Sequence, residues 1–579
     1  MPDGNAAGLS ASALVAAALG DKPRLLLEPC DPDVTVAKLC DILANTGTLF
    51  DRGVPVRLAY DQNQRGTVAQ AMTPDLLVME AHRACRPYEV REKKDTIIEV
   101  NARLSRTLAV MYLDWRGEWR LKPLNGIASA PLLHPDGAIH HAEGYDEPSG
   151  MWCENVPDLA ELVPDRPTKD AAAAALLLLR RTFATFCFAD AETVQDQVRG
   201  VAVVDTAKPP GKDESGFLAA LLTAVCRPSL HLAPGVLLRA APMSGAGAGK
   251  GLLARCMCII AFGREPHAVT AGSNAEELEK RIASELIEGS LTLFLDNLNS
   301  VAFKSDLLAS AITERPARVR VLGKSQMVPL CASAFIVLTG NGLSVSEDLA
   351  RRFIAVELDP GTEGPEARPF QGDIRLEMKA RRTELLAAAL TIWRWGRQAT
   401  DLKPGGALGS FGQWCAWVRD PLLALGCQDP AERVSEAKAR DGRRQAVADL
   451  FAAWWTHHHN MPVMAKDLHD EVRQLADPQG RGRQFLASAL DKLTNTRMAG
   501  FVLTRQAPAG KWGAATYALK NLGGAETHRG HRGHRGDDKE NQSVMPPYAD
   551  PMPPYAPDAT PYAPLCLRTI GADMLGISH

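Results

Sequence analysis

Between residues 216 and 370, short apolar runs alternate with segments whose apolar residues recur at helical spacing. The runs at 236–240, 291–295, 334–338 and 353–358 have the length and composition of buried strands. Strands separated by helices predict an α/β fold with a parallel sheet. A helical stretch rich in Ala, Leu and Trp follows at 374–400, and Trp393 and Trp395 are expected to serve packing. Upstream, residues 23–206 mix helix and strand patterning. Their clearest helix is 170–181, built mainly from Ala and Leu. The Pro-, Gly- and Asp-rich stretch at 131–150 predicts short strands joined by turns. Residues 208–215 (KPPGKDES) read as a linker.

Farther along, residues 441–520 run helix, short strand, helix, helix, strand, turn, strand. The elements fall at 445–455, 463, 466–475, 483–493, 500–505, a turn at 507–510, and 512–519. That order predicts a C-terminal winged helix. Beyond residue 521 come the repeats HRGHRGHRG and MPPYADPMPPYAP, with too little apolar content for a core, so this tail is expected to be mostly disordered. The expected division is a 1–22 arm, a 23–206 N-terminal α/β accessory domain, a 216–370 core, a 371–440 helical lid or connector, a 441–520 winged helix, and the 521–579 tail.

Composition changes this picture little. A hydrophobic share of 46% with 23% charged residues is that of ordinary globular protein. The net charge of −3 excludes a general polyanion binder, so any nucleic-acid surface must be local. One such surface is in the winged helix, where residues 462–520 hold nine Lys or Arg against five Asp or Glu. Arg481, Arg483 and Gln484 open its third helix, where a recognition helix presents side chains to the major groove. Lys511 falls at the wing tip, placed for a phosphate. A winged helix that binds protein is the alternative. The 12 cysteines include no CxxC pair, which points to reduced thiols in a cytoplasm. No apolar run approaches 18 residues and no basic, then apolar leader opens the chain, so neither secretion nor a membrane partner is expected. His457, His458 and His459 end a helix. Adjacent helical side chains diverge, which favours an exposed helix end over a metal site.

The sharpest chemistry lies after the 236–240 run, in Ser244, Gly245, Ala246, Gly247, Ala248, Gly249, Lys250 and Gly251. Strand, glycine-rich loop and helix form a phosphate cradle: small residues let successive N–H groups turn inward, and the helix N-terminus adds positive partial charge. Lys250 would reach the β- and γ-phosphates. The usual pattern begins with Gly and follows the Lys with Ser or Thr, whose hydroxyl binds Mg²⁺. Ser244 and Gly251 stand there instead, so nucleotide binding is better supported than fast hydrolysis.

Three further features follow in order. The 291–295 run ends in Asp296, a candidate Mg²⁺ ligand, with Asn297 where many motor ATPases carry a second acid. Glu285 and Glu288 are possible stand-ins for that acid, or solvated helix charges. The next strand ends in Thr339, Gly340 and Asn341, where Asn341 could orient a lytic water or simply close the strand. Arg351 and Arg352 open the last strand, either as a sheet-edge ion pair or as an arginine finger for a neighbouring subunit. Between the Asp and Asn strands, residues 315–326 alternate around a Gly323-Lys324 turn. They predict a β-hairpin with a basic tip, either solvated or tracking DNA through Arg320 and Lys324.

Taken together, GAGAGKG, LFLDN, the basic hairpin, LTGN and RRF resemble the ATPase core of superfamily 3 helicases, the type found in poxvirus, phage and plasmid primase-helicases. The motifs cover residues 240–358. More broadly, residues 23–522 resemble uncharacterised ATP-binding proteins of bacterial prophages and integrative elements. The helicase resemblance implies a P-loop NTPase core of AAA+-like type, ATP and Mg²⁺ as cofactors, and a hexameric ring around DNA. It implies phosphate contact by Lys250, Mg²⁺ at Asp296, a sensor at Asn341, DNA at Lys324, and a finger at Arg351 or Arg352. The departures at Gly251 and Asn297 leave two other readings open: a slow ATP-switched initiator or loader, and a non-hydrolysing DNA-binding scaffold. Residues 23–206 show no paired-carboxylate primase centre, so primer synthesis, if linked, is expected from a separate partner.

Overall fold

The computed structural model describes residues 22–62, 66–93, 96–197, 200–240, 246–270, 274–298, 303–320, 327–362, 364–365, 372–433, 442–506 and 515–522. The expected tail beyond 522, the arm before 22 and the turn at 507–510 lie outside them. The chain is a mixed α/β protein with a parallel sheet. Among the described residues no helix is long and apolar enough to cross a membrane.

The N-terminal part has its own apolar core, in which Leu25, Val36, Leu39, Leu77, Tyr112 and Trp119 are buried. Helices Pro32–Asn45 and Pro74–Ala84 both begin with proline, whose fixed φ and missing N–H suit the first helical turn. The second is also capped, because the Thr73 hydroxyl accepts from the Leu76 N–H at 3.2 Å. A four-stranded sheet, containing Pro55–Asp61 and Leu49–Asp51, joins this part to the larger core. The tie is a buried arginine. Arg52 donates to Leu286 O and Ile287 O at 2.8 Å each and to Leu124 O at 2.9 Å. The first two carbonyls belong to the last turn of helix Ala275–Glu288, where a cation also meets the negative end of the helix dipole.

The larger core surrounds strands β1 (Gly235–Ala240), β2 (Ala268–Thr270), β3 (Thr292–Asp296), β4 (Phe335–Asn341) and β5 (Phe353–Leu358). Their order is β2-β3-β4-β1-β5, and every pairing is parallel. The helices used below are α1 (Lys169–Thr182), α2 (Lys250–Phe262), α3 (Ala275–Glu288), α4 (Ile374–Ala380) and α5 (Arg382–Gln398). The expected runs therefore all became strands of one sheet. Helix α1 buries Ala175, Leu176 and Leu179, one face at helical spacing, against this core. It lies in the stretch that composition grouped with the N-terminal region, yet it packs around the central sheet. Trp393 and Trp395 on α5 are buried, as packing residues should be.

Residues 442–506 and 515–522 form a third apolar core around Phe451, Trp454, Val472, Leu490 and Leu519. Helices Gly442–His458, Asp470–Ala476 and Arg483–Leu493 accompany a four-stranded sheet that includes Phe501–Gln506 paired antiparallel with Thr516–Asn521. The order differs from the expected one in two places: the second helix starts later, at Asp470, after a short 3₁₀ turn, and an additional strand, Arg497–Met498, precedes Phe501–Gln506.

Because Arg52 satisfies three carbonyls at once, Arg52→Ala is expected to lower stability by about 2–4 kcal/mol, read as the urea unfolding midpoint. Arg52→Lys should recover only part of this, since an ammonium cannot reproduce the planar fork.

Candidate functional site

All five strands are parallel, so their C-terminal ends meet at one edge. Ala240 pairs with Asn341 and Leu358, and Asp296 pairs with Thr270. The crevice outside the carboxyl ends of such a sheet is where ligands bind in open α/β folds. The glycine-rich loop leaves β1 at this edge. Gly247 and Gly249 have φ of +78° and +90°, which a side chain would strain, and Gly249 caps the N-terminus of α2. Ser244 and Gly245 lie outside the described residues; Ala246 is exposed and Ala248 buried.

Lys250, Asp296 and Asn341 come together here. The Lys250 ammonium donates to Asn341 Oδ1 at 2.5 Å. Burial lowers its pKa from the ordinary lysine range, and the Asp296 carboxylate works against that shift. Asp296 ends β3, and its Oδ1 accepts from the Thr339 hydroxyl at 2.5 Å. The same hydroxyl accepts from the Asn297 N–H at 3.1 Å, holding Asn297 at a φ of +59°. Thr339 is thus a positioning residue that the sequence reading passed over. Its signal was its place on β4, two residues before Asn341.

Arg255 was also missed. It stands four residues after Gly251 on α2, where helical side chains share a face and lean toward the N-terminus. Its Nη1 donates to Gly251 O at 3.1 Å, and Nη2 lies 3.8 Å from Asp296 Oδ2. These residues fit the expected Mg²⁺ poorly. Gly251 offers no hydroxyl, and the two Asp296 oxygens face Thr339 and a guanidinium. Magnesium demands oxygen ligands at 2.0–2.1 Å in octahedral array.

Beside the loop opens a cleft of about 670 Å³. Its walls include Gly247, Ala248 and Gly249, apolar Leu178 and Phe186, and Ile374 and Arg375 from α4. Helix α1 and the first helix after the sheet therefore complete a cavity whose floor is the loop.

Other expected residues lie elsewhere. Arg351 and Arg352 both pair with Asp348, and the Arg352 carbonyl accepts from the Gly235 N–H at 2.9 Å. That is the N-terminal end of β1, a strand's length of about 17–20 Å from the loop. Neither arginine can serve its own chain's site. Glu285 is not a solvated helix charge, because it is buried, accepts from Ser290 Oγ at 2.5 Å and sits 3.2 Å from His267 Nε2. It lies before β3 begins, at the opposite edge from Asp296, which removes it as a stand-in acid.

The hairpin is present as Ala317–Arg320 paired with Met327–Leu330. Ala317, Val319, Val328 and Leu330 are buried while Arg318 and Arg320 are exposed, so one face is basic. Lys324 at its tip lies outside the described residues, as does Lys511. Arg481 stacks on the Phe485 ring at 3.4 Å and lies 3.6 Å from Asp477, and Gln484 is exposed beside it. Arg483 begins the helix. The three histidines diverge as expected. His457 meets Glu471 at 2.7 Å, His458 accepts from the His469 N–H at 3.0 Å, and His459 stands against Trp455. His457 and His469 stack at 3.6 Å, and with Glu471 they bring ligand atoms within 4.8 Å of one another, an exposed group of metal-ligating type that draws on one of the three adjacent histidines.

No family model matches the chain, and no curated protein matches it. A solved structure that aligns is the A-form apo structure of the C-terminal region of NrS-1, with 10% identity over 84% of this chain and 99% of that one. The TM-score of 0.33 is too low to identify a shared fold.

Thr339 is 1% exposed, so Thr339→Val should keep the packing while leaving Asp296 and the Asn297 N–H without their partner. A loss of about 1–3 kcal/mol in unfolding free energy is expected.

Proposed function

We propose that this chain is a nucleotide-binding protein acting on DNA, with a P-loop core of helicase type and a C-terminal winged helix. The observation that carries the reading is the convergence of Lys250, Asp296 and Asn341 at the carboxyl edge of a parallel sheet, beside a cleft floored by the glycine-rich loop. ATP fits this arrangement by its chemistry: the loop and Lys250 suit the phosphates, and the apolar wall of Leu178 and Phe186 suits a base. In this reading Asn341 senses the terminal phosphate through Lys250.

The DNA side rests on the exposed basic face of the hairpin at Arg320 and on the helix start at Arg481, Arg483 and Gln484. Arg351 and Arg352, distant from their own site, suit action on a neighbouring subunit, which supports a homo-oligomeric ring. A motor of this kind needs hydrolysis, whereas Gly251 and Arg255 alter the position where a hydroxyl and metal normally act. That observation favours a second reading, a slow ATP-switched initiator or loader that remodels DNA without translocating. Priming, in either case, falls to a separate partner.

Titration with mant-ATP should give saturable binding that Lys250→Ala weakens by about tenfold or more. Unchanged affinity in the variant removes the loop as the phosphate site. For DNA, Arg320→Ala should weaken binding alike across sequences and reduce the salt slope by about 1, while Gln484→Ala should alter sequence preference. Equal DNA affinity for wild type and both variants would sink the interface assigned here.

A further inference from the structure

We infer that Arg255 replaces the metal ion of this site, so that the phosphates are held by the Lys250 ammonium and the Arg255 guanidinium without Mg²⁺. The inference rests on the nucleotide reading above and concerns how that same site supplies positive charge.

Gly251 is where the arrangement begins. A Cβ built there would stand 2.9 Å from Arg255 Nη1, and 3.5 and 3.6 Å from the two oxygens of Asp296. The space that a metal-binding Ser or Thr would enter is therefore the space the guanidinium uses. The absent side chain is what lets Arg255 fold back along α2 to the phosphate end of the helix. Four contacts fix it there. It donates to Gly251 O, faces Asp296 Oδ2, lies 5.1 Å over the Phe294 ring, and has its Nε 3.9 Å from Glu265 Oε2. Its side chain remains 27% exposed.

Charge and geometry agree with this role. A guanidinium carries a permanent positive charge and presents several planar N–H donors that match phosphate oxygens. It therefore supplies the neutralisation that a bound cation gives elsewhere. A dication placed against Asp296 would meet that same positive charge at close range, and would compete with Thr339 and Arg255 for the two carboxylate oxygens. In this site Asp296 is the anchor of Arg255, a positioning residue and not a metal ligand.

The test is mant-ATP titration of the full chain in excess EDTA and in excess Mg²⁺. Wild type is expected to bind equally well in both, within about threefold. Arg255→Ala should lose about tenfold or more of the metal-free affinity, and Arg255→Gln, which keeps length and polarity, should lose nearly as much. The double variant Gly251→Ser/Arg255→Ala, which clears the guanidinium and restores a hydroxyl, should bind better in Mg²⁺ than in EDTA. Thermal melts establish that each variant is folded, and the wild-type comparison stands even if one is not. Wild-type binding that disappears in EDTA and returns with Mg²⁺ overturns the inference while leaving the nucleotide site intact. Absence of binding in both buffers, for wild type and Lys250→Ala alike, overturns the nucleotide reading itself.

Discussion

The site depends on one constraint, the parallel pairing of β1 with β4 on one side and β5 on the other. All six residues of β1 are buried, so its apolar surface is satisfied only between two covered neighbours. Parallel pairing then forces every carboxyl end to the same edge. The register places Ala240 opposite Asn341, while β3 brings Asp296 to the same side. Gly235 is part of this fit, since a Cβ there would stand 2.4 Å from the Phe353 ring. The convergence of Lys250, Asp296 and Asn341 is a consequence of where the sheet ends.

Helix geometry adds the second layer. Lys250 and Gly251 open α2, and four residues later Arg255 returns over the same face. Two cations from the first turns of one helix thus set the positive charge of the site, and Asp296 faces both. Thr339, on the strand between the loop strand and the Asp strand, fixes that acid from the other side. The hydroxyl missing from position 251 therefore belongs with a cation that occupies its place. The glycine and the arginine are one feature of the site, seen from two positions in the chain.

Around this edge, the cavity is completed from afar. Helix α1, long before the sheet in sequence, and α4, just after it, bring Leu178, Ile374 and Arg375 to the side of the loop. Buried arginines serve the same integration elsewhere: Arg52 joins the N-terminal sheet to the end of α3, and Arg227 donates to Leu230 O, Ala332 O and Ala334 O before β4. Such side chains satisfy several carbonyls that irregular backbone would otherwise leave bare.

Much of this was legible in the chain alone, and for local reasons. Apolar runs near 236–240, 291–295, 334–338 and 353–358 specify buried strands because little else hides so many consecutive apolar residues. Glycines at 247 and 249 specify a turned backbone because few other residues adopt their φ. Asp296 and Asn341 stood out because each ends an apolar strand, and Lys250 because it closes the glycine-rich loop that follows one. Other features had no local signal. Arg255 looks like any helical arginine until β3 brings Asp296 to it, and Thr339 like any strand threonine until the register faces it toward that acid. Glu285 reads as a surface charge until His267 and Ser290 close over it. Arg351 and Arg352 left two readings open, an ion pair or a finger for a neighbouring subunit, and the parallel sheet pairs both with Asp348 at the end far from the loop. Sequence determined most of the elements of the central sheet and where the glycine-rich loop lies, since those follow from nearest-neighbour backbone chemistry and periodicity. Tertiary structure alone decided which charges meet, because that depends on strand order and on contacts between residues far apart in the chain.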